Sequence, residues 1–413
     1  MKYDIAIIGG GPAGMMAAGR AGELGARVVL IEKNKNLGVK LLTTGGGRCN
    51  LTNKISDPKQ MAVKFEQKGK FLISPLYKFG PEEMIAFLEK RGLKTKTEAN
   101  QRVFPASNKA TDVLKILINY LKEFKVNIKT NAKVKKIIKN KNKIEKIILE
   151  NREEIEADKF IFSVGGKSYP QTGSTGDGYD WLRALGHTIV SPKPSLTPIV
   201  LKEKFIKDLE GLSLKDVEIK LYKNNKKIEI KRGEAIFTSD GMSGPVILDL
   251  SRKISGGNNE IIKIDFIPDL DPSDFEKNIL QSFQRGNNKL FKNILLNFAP
   301  SKLIPIIINL LKIGPDKKAN MITKEERKSL INLLKNFILE VKELAGYNRA
   351  MITSGGPVLT EIDSRTMKSK IVDNLYFAGE ILGLNGPTGG YNLQVCWTTG
   401  YVAGESAAKM RDN

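Results

Sequence analysis

The order of apolar and polar positions predicts a strand–helix–strand unit at the start of the chain. Residues 3–8 form a short apolar run that is typical of a buried strand, and residues 15–24 have the pattern of a helix. A second apolar run, residues 27–31, predicts the next strand. Strands that alternate with helices in this way favour a parallel sheet, so the chain opens as an α/β fold.

The α/β character continues to about residue 192. Residues 81–89 and 111–124 carry apolar side chains at helical spacing and are predicted to form amphipathic helices. Residues 126–157 alternate apolar and charged side chains, which indicates a β-meander. The apolar run at residues 160–164 predicts a further buried strand, and a pair of glycines follows it.

The periodicity changes after residue 192. Alternating apolar residues on both sides of Asn224-Asn225 predict a hairpin. Three more strands are predicted near residues 234–238, 245–250 and 260–267. This run of short strands indicates a small antiparallel barrel or sandwich.

Helices dominate the next stretch, and an α/β pattern then returns. Asp271 and Thr323 have the sequence context of helix N-caps. Residues 374–380 predict a strand that ends in a turn, and residues 392–408 predict a helix. The order therefore predicts an α/β domain with an insertion. Its parts are an α/β domain of residues 1–192 plus 352–413, an antiparallel β-barrel of residues 193–270 plus 341–351, and a helical subdomain of residues 271–340.

The turn between the first strand and the first helix reads Gly9-Gly10-Gly11-Pro12-Ala13-Gly14, a G-x-G-x-x-G motif. In this context Gly9 permits a tight turn, Gly11 lets the backbone approach a pyrophosphate, and Gly14 lets the helix pack on the strand. Glu32 closes the second strand 18 residues after Gly14, and a carboxylate there suits a ribose diol. Together these features predict a dinucleotide site, whereas the glycines alone would predict only a turn.

Three other glycine-rich segments have the composition of a flavin site. Residues 43–50 hold three glycines and Arg48, which can meet the pyrophosphate or a substrate. Residues 172–178 are equally consistent with a plain capped turn before a helix. The third segment consists of Gly379-Glu380 and residues 389–393. A helix N-terminus at residues 389–393 could face the flavin ring, and Glu380 could bond the ribityl chain. Their joint occurrence with the first motif favours FAD over NAD.

Composition narrows the chemistry that the chain can carry. Its 413 residues include two cysteines, Cys49 and Cys396, and one histidine, His187. Two distant cysteines argue against a disulfide scaffold, and one histidine excludes a His-rich metal site, so no metal is expected. We interpret His187 as a packed structural residue. A bound cofactor would therefore carry the chemistry of an enzyme.

The formal net charge is +22, from 67 basic and 45 acidic residues. Two interpretations stay open: a lysine-rich usage bias that leaves solvated faces, or a polyanionic partner such as RNA. No apolar run reaches the roughly 18 residues of a membrane span, and no signal-peptide pattern opens the sequence, so we expect a cytoplasmic protein without a membrane partner. The sequence does not indicate the oligomeric state.

Four longer motifs give the chain a resemblance to a known family. They are TGGGRCNLTN at 44–53, YPQTGSTGDG at 169–178, GMSGP at 241–245, and the segment 379–393. The chain resembles the YhiN/BaiN-type FAD-dependent oxidoreductases, also called the aminoacetone oxidase family, over nearly its whole length. The resemblance implies a two-dinucleotide-binding-type, Rossmann-like FAD domain with a β-meander, interrupted by a β-barrel and a helical segment. It also implies FAD contacts at Gly9, Gly11, Pro12, Ala13, Gly14, Glu32, Lys33, Lys40, Gly46, Gly47, Arg48, Asn50, Val134, Gly165, Gly379, Glu380, Gly390, Tyr391, Asn392 and Leu393.

The resemblance further implies an FAD enzyme that NAD(P)H reduces transiently and that then reduces a C=C bond. Uridine in large-subunit ribosomal RNA is the favoured substrate, because members of the family are linked to dihydrouridine formation. Cys49 is a candidate proton donor, since it follows Arg48 in the loop expected near the ring. Two alternatives stay open: a small-molecule reductase or oxidase acting on steroid-like enones or amines, and an RNA-binding protein that keeps FAD as a structural ligand.

Overall fold

The computed structural model of the chain describes residues 2–256 and 259–409, and it divides into two compact units. Unit 1 comprises Met1–Ser195 and Ala350–Asn413, and unit 2 comprises Leu196–Arg349. Each unit has a hydrophobic core of its own. In the described part of the chain, no helix combines the length and the hydropathy that a bilayer crossing requires.

The strands of the described residues are numbered in chain order across both units. They are β1 (Tyr3–Ile8), β2 (Val28–Ile31), β3 (Thr52–Asn53), β4 (Thr95–Glu98), β5 (Arg102–Pro105), β6 (Asn127–Lys129), β7 (Val134–Asn140), β8 (Lys143–Leu149), β9 (Glu154–Phe162), β10 (Ile189–Ser195), β11 (Ile199–Leu201), β12 (Ser213–Lys223), β13 (Lys226–Phe237), β14 (Gly241–Ser243), β15 (Glu260–Asp265), β16 (Phe337–Leu344), β17 (Ile352–Pro357) and β18 (Leu375–Phe377).

The α-helices are numbered in the same way, and short 3-10 turns connect several of them. They are α1 (Pro12–Glu23), α2 (Pro58–Val63), α3 (Gly69–Lys78), α4 (Pro81–Lys90), α5 (Ala110–Glu123), α6 (Asp177–Ala184), α7 (Pro245–Ser251), α8 (Pro272–Arg285), α9 (Phe291–Leu295), α10 (Ile304–Leu311), α11 (Lys324–Lys335) and α12 (Tyr391–Lys409).

The main sheet of unit 1 has the order β6-β2-β1-β9-β8-β7, and β18 also pairs with β9. The strands β6, β2, β1, β9 and β18 are parallel, whereas β7, β8 and β9 form an antiparallel meander. Parallel strands place their carboxyl ends at one edge, which is where ligands bind in open α/β sheets. The fold class is therefore the predicted Rossmann-like α/β fold.

The strand predicted at residues 160–164 is the second half of a longer strand, β9. Its first half, from Glu154, pairs with β8, and its second half, up to Phe162, pairs with β1 and β18. The first half alternates buried and exposed residues because only one face is covered, whereas the last three residues, 160–162, are all buried. This change in pattern made one strand resemble two.

Helices α1 and α12 bring the two segments of unit 1 together. A Cβ built on Gly400 would lie 2.4 Å from Ala13 O, and one built on Gly404 would lie 2.3 Å from Ala17 O. Only glycine permits this approach of the two backbones. The first and the last helix of the chain therefore pack as one layer on the sheet.

Unit 2 contains a closed barrel with the order β11-β14-β13-β12-β15-β16, in which β16 also pairs with β11. The helices α8 to α11 lie between β15 and β16 in the sequence. Barrel residues such as Ile262 and helix residues such as Phe275 share one hydrophobic cluster. The predicted barrel domain and the predicted helical subdomain thus lie in a single compact unit.

One strand predicted in this unit is wrong. Residues 245–250 belong to helix α7, Pro245–Ser251, and not to a strand. Gly244 has φ +96°, which turns the chain, and Pro245 then stands at the first helical position, where its missing N–H is not needed. A short apolar run does not distinguish a buried strand from a buried helix by itself, and here the proline and the turn decide.

Candidate functional site

The glycine-rich turn joins the carboxyl end of β1 to the start of α1. Ser163, which follows β9, donates a hydrogen bond from Oγ to Ile8 O at 2.9 Å and lies 3.0 Å from Gly9 O. A Cβ on Gly9 would lie 2.5 Å from Ser163 O, and a Cβ on Gly14 would lie 1.9 Å from Gly9 O. Both glycines are therefore required by the packing of the protein itself.

Gly11 differs from its two neighbours in the motif. Its φ of −78° is accessible to any residue, and a Cβ built on it would meet no protein atom within 4 Å. Neither backbone strain nor protein packing accounts for a glycine here. A bound pyrophosphate does account for it, because the phosphates need close approach to the N–H groups at the start of α1. The residues present thus fit a dinucleotide.

Glu32 is placed at the same edge of the sheet by the end of β2. It is 8% exposed, and its two carboxylate oxygens accept hydrogen bonds from Gly10 N at 2.7 Å and Asn34 N at 2.8 Å. Its backbone oxygen accepts from Ala132 N at 2.9 Å, two residues before the buried Val134. Glu32 is thus a neighbour of the glycine-rich turn, and the contact of Val134 with FAD stays a prediction.

The loop of residues 172–178 is tied to the end of β2 by polar side chains. Lys33 Nζ donates to Thr175 Oγ1 at 2.5 Å and to Asp177 Oδ2 at 2.9 Å. Asn34 Nδ2 donates to Thr172 O at 3.0 Å. Lys33 therefore has protein partners of its own, and its predicted contact with FAD stays a prediction.

A second polar cluster surrounds Glu380, which follows β18. Its carboxylate accepts hydrogen bonds from Lys40 Nζ at 2.8 Å and from Thr353 N at 2.8 Å. Thr353 Oγ1 in turn accepts from the backbone N–H groups of Lys167 and Ser168 at 2.7 Å and 3.0 Å. The predicted residues Lys40 and Glu380 thus meet, and Thr353 holds the carboxylate in place.

Gly379 connects this cluster to the glycine-rich turn. It has φ +79°, and a Cβ on it would lie 2.7 Å from the Cβ of Ala13 in the first turn of α1. Its backbone N–H donates to Thr399 Oγ1 at 2.8 Å. The residues predicted to contact the phosphates and those predicted to contact the flavin are therefore adjacent in one site of unit 1.

The loop before α12 is organised by Asn392. Its Oδ1 accepts from Gly386 N at 2.9 Å, and its Nδ2 donates to Gly386 O and Pro387 O at 3.1 Å and 3.2 Å. Gly389 and Gly390 both have positive φ, so the chain turns sharply into the helix. The first N–H groups of an α-helix have no acceptor within the helix. Those of Tyr391, Asn392 and Leu393 can therefore donate to an electron-rich edge of a ligand.

Residues 45–50 lie next to this loop. With its amide oriented to satisfy its partners, Asn50 accepts a hydrogen bond from Gly390 N at 3.1 Å. Gly46 and Gly47 have φ of +66° and +85°, and a Cβ on Gly46 would meet no protein atom within 4 Å. As at Gly11, the surrounding protein leaves space for a ligand.

Arg48 has partners that the sequence did not indicate. Its guanidinium donates to both oxygens of Glu98 at 2.9 Å and 3.1 Å, and it stacks over the ring of Phe104 at 4.0 Å. These contacts already balance its charge and fix its orientation. A role toward pyrophosphate or substrate stays a prediction for Arg48.

Cys49 is buried completely, with no exposed surface on its side chain. Burial raises the pKa of its thiol to about 12, against a weaker opposing effect of a hydrogen bond with Thr44. The thiol therefore stays protonated but reaches no open surface. Its role as proton donor is untested, and this environment does not favour it.

Three residues of the site carried no signal in the sequence pattern: Ser163, Thr353 and Thr399. Each bonds a backbone or carboxylate group that is distant along the chain, as between Thr353 and Glu380. Only the glycine pair Gly355-Gly356, just after Thr353, marked that segment as unusual.

His187 is a packed residue, bonded to Glu361 through Nδ1 and to Ser369 through Nε2, both at 2.9 Å.

The parallel sheet and the glycine-rich turn between β1 and α1 place the chain among the FAD-dependent oxidoreductases of Rossmann-like fold. The family model described as the HI0933-like protein Rossmann domain matches residues 3–406. The chain belongs to this HI0933-like family.

Curated relatives match the chain over nearly its whole length. A 3-dehydro-bile acid delta(4,6)-reductase of Clostridium scindens is 31% identical over 411 residues, which cover 98% of this chain and 99% of the relative. A ribosomal RNA dihydrouridine synthase of Escherichia coli is 28% identical over 404 residues, which cover 98% of each chain. A ribosomal RNA dihydrouridine synthase of Haemophilus influenzae is also 28% identical, over 408 residues and 98% of each chain.

Solved structures show the same fold at low sequence identity. A 3-ketosteroid-delta4-(5alpha)-dehydrogenase of Rhodococcus jostii aligns with a TM-score of 0.54 at 13% identity, covering 99% of this chain and 97% of that one. A flavocytochrome c3 fumarate reductase aligns with a TM-score of 0.53 at 15% identity, covering 99% of this chain and 78% of that one.

Proposed function

We propose that this protein reduces uridine to dihydrouridine in large-subunit ribosomal RNA, with NAD(P)H as the electron donor. The observation that carries this proposal is the match to two ribosomal RNA dihydrouridine synthases over 98% of this chain and of each relative. The net charge of +22 supports it, because a polyanionic substrate is bound by neutralising its phosphates. A bile acid carries a single carboxylate and does not require a positive charge of this size.

The residues of unit 1 would divide the work of holding the cofactor. The N-terminus of α1 and the open backbone at Gly11 would bind the pyrophosphate, and Glu32 would accept from the ribose diol. Glu380, fixed by Lys40 and Thr353, would orient the ribityl chain. The N-terminus of α12 would place the positive end of its dipole at the flavin ring.

Bound FAD would supply the hydride chemistry that links NAD(P)H to the uracil C5=C6 bond, whose reduction takes one hydride and one proton. Asn392, whose side chain bonds the backbone of Gly386 and Pro387, would hold the α12 N-terminus in place beside the flavin. Rigid donors lower the barrier because they need no reorientation as charge develops.

The test is to incubate the purified holoenzyme with NAD(P)H and an unmodified transcript of large-subunit ribosomal RNA. Digestion and mass spectrometry should show a mass gain of two hydrogens at a defined uridine. Deletion of the gene should remove the same modification from the host ribosome. Unchanged ribosomal dihydrouridine in the deletion strain would refute the proposal.

A second candidate is the reduction of a small, steroid-like enone, and the 31% identity to the bile acid reductase favours it. Stopped-flow measurement separates the two candidates. The NAD(P)H-reduced flavin is mixed with a steroid enone or with RNA, and the rate at which flavin absorbance returns is compared with the rate in buffer. Fast reoxidation by the enone alone would favour the small-molecule function.

A further inference from the structure

Positive charge in unit 2 is concentrated in its helical part. The stretch Lys277–Lys324 has nine lysines and arginines and one acidic residue, Asp316. The barrel stretch of residues 196–270 has 13 basic and 12 acidic residues. Basic residues are about equally dense in the two stretches, so lysine usage does not distinguish them. What differs is the depletion of acidic residues, which a usage bias toward lysine does not produce.

The fold brings two parts of this stretch together. Leu290 lies opposite Lys318 in an antiparallel β-bridge, and Ala319 N donates to Lys289 O at 3.0 Å. Arg285 ends α8 just before this bridge. The chain thus gathers basic residues that are about thirty positions apart in sequence. We call the group the basic surface; its residues are Arg285, Lys289, Lys292, Lys317 and Lys318.

Acidic neighbours offset only part of this charge. Lys317 pairs with Glu326 at 2.6 Å, and Lys292 lies 3.4 Å from Asp316, whose side chain is 82% exposed. Such an exposed ion pair is weak and neutralises little of the charge on Lys292. Arg285, Lys289 and Lys318 are exposed, and none of them forms an ion pair with a described residue. Three positive charges therefore remain available to a polyanion.

A second lysine-rich segment, in the meander of unit 1, is a weaker candidate. Residues 124–144 contain eight lysines and no acidic residue, but six acidic residues follow within 145–158. Lys146 of β8 pairs with Glu154 of the neighbouring β9 at 2.8 Å, and Lys133 pairs with Glu150 at 2.6 Å. This is the pattern of a solvated sheet face on which opposite charges alternate.

We propose that the basic surface binds the sugar–phosphate backbone of an RNA. This inference rests on the proposed function and assigns part of its substrate binding to unit 2. Exposed amides surround the basic residues, at Asn287, Asn288 and Asn320. Amides donate to and accept from ribose hydroxyls and bases, and a lipid surface offers no comparable use for them.

The experiment compares two holoenzyme variants that each lose three positive charges. The first is Arg285→Gln/Lys289→Gln/Lys318→Gln, and the matched control is Lys135→Gln/Lys136→Gln/Lys141→Gln in the meander. Binding to an unmodified large-subunit ribosomal RNA transcript is measured between 50 and 200 mM salt. Flavin absorbance and the thermal midpoint confirm that both variants are folded.

The slope of log affinity against log salt should fall by about 2 to 3 for the first variant, from about 0.7–0.9 per lost phosphate contact. Over this fourfold salt range the variant should therefore lose about 20- to 40-fold less affinity than the wild type. The control should keep the wild-type slope. An unchanged slope in the first variant, or a reduced slope in the control, would overturn the assignment.

Two further results separate the possible failures. Wild-type protein that forms dihydrouridine, with the same slope in all three proteins, would refute the basic surface and leave the proposed function intact. The expected slopes without any dihydrouridine would support the surface and refute the function. Binding to phosphatidylglycerol vesicles that the first variant loses, with its RNA slope unchanged, would assign the surface to a membrane instead.

Discussion

Replacing Gly11 with alanine should weaken FAD binding and leave the fold intact. The new methyl group would meet no protein atom within 4 Å, and φ of −78° suits alanine. Alanine is a poorer N-cap than glycine, but it also restricts the unfolded chain more. These two effects oppose each other, so the free energy of unfolding of the apoprotein should change by less than about 1 kcal/mol.

The methyl group would instead occupy space that the pyrophosphate needs. Forcing one extra methyl group into a close contact costs about 1–3 kcal/mol, which raises the dissociation constant of FAD by about 5- to 150-fold. FAD is removed from wild type and from Gly11→Ala. Each apoprotein is then titrated with FAD, and binding is measured by the quenching of flavin fluorescence. Urea unfolding of the two apoproteins supplies the stability comparison.

Gly14→Ala is the matched control, because it adds the same methyl group three residues away. That group would lie 1.9 Å from Gly9 O and 2.6 Å from Ser163 Oγ, so it should destabilise the apoprotein by at least about 1–3 kcal/mol. Wild-type FAD affinity in Gly11→Ala, or a loss of apoprotein stability equal to that of Gly14→Ala, would refute the assignment of Gly11 to the pyrophosphate.

Three other predictions concern buried ionisable groups. Cys49→Ala should keep kcat within about threefold of wild type, since the thiol is fully buried; a loss of the 10²-fold or more expected for a general acid would restore Cys49 as proton donor. Burial lowers the pKa of His187 below its unfolded value of about 6.5, so the unfolded chain binds more protons below that pH and wild type should lose stability as the pH falls from 7 to 5. His187→Gln should lose less over the same range in urea unfolding, and equal losses would contradict this. At Glu405, burial opposes ionisation, but Lys78, Arg20 and Lys409 together lower the pKa to about 2. The lowered pKa contributes about 3 kcal/mol to the free energy of unfolding above pH 4.5, and this contribution is lost as the pH falls toward 2. The difference in free energy of unfolding between wild type and Glu405→Gln, measured by urea unfolding, should therefore narrow over that range and not stay constant.

The class of fold and the cofactor could be predicted from the sequence because their signals are local. A tight turn, a helix N-terminus and an acid at a strand end each depend on a few adjacent residues, as in Gly9–Gly14 and Glu32. Burial also leaves a periodic record along the chain, which predicted the meander, the hairpin of β12 and β13, and the capped helices α8 and α11.

Residues 245–250 show where the apolar pattern was insufficient. Their apolar run suits any buried element, and the turn at Gly244 with Pro245 at the first helical position selected a helix. The shared core of the barrel and helices was likewise not visible, because the sequence marks which residues are buried but not which of them pack together.

What the sequence determined by itself was the location of the glycine-rich turn and the elements on either side of it. Only the tertiary structure decided the surroundings of the other site residues. The bond from Lys40 to Glu380 spans 340 positions, and the burial of Cys49 and the partners of Arg48 depend on segments distant from residues 43–50. The physical reason is that backbone conformation is set by neighbours along the chain, whereas burial and charge pairing are set by neighbours in space.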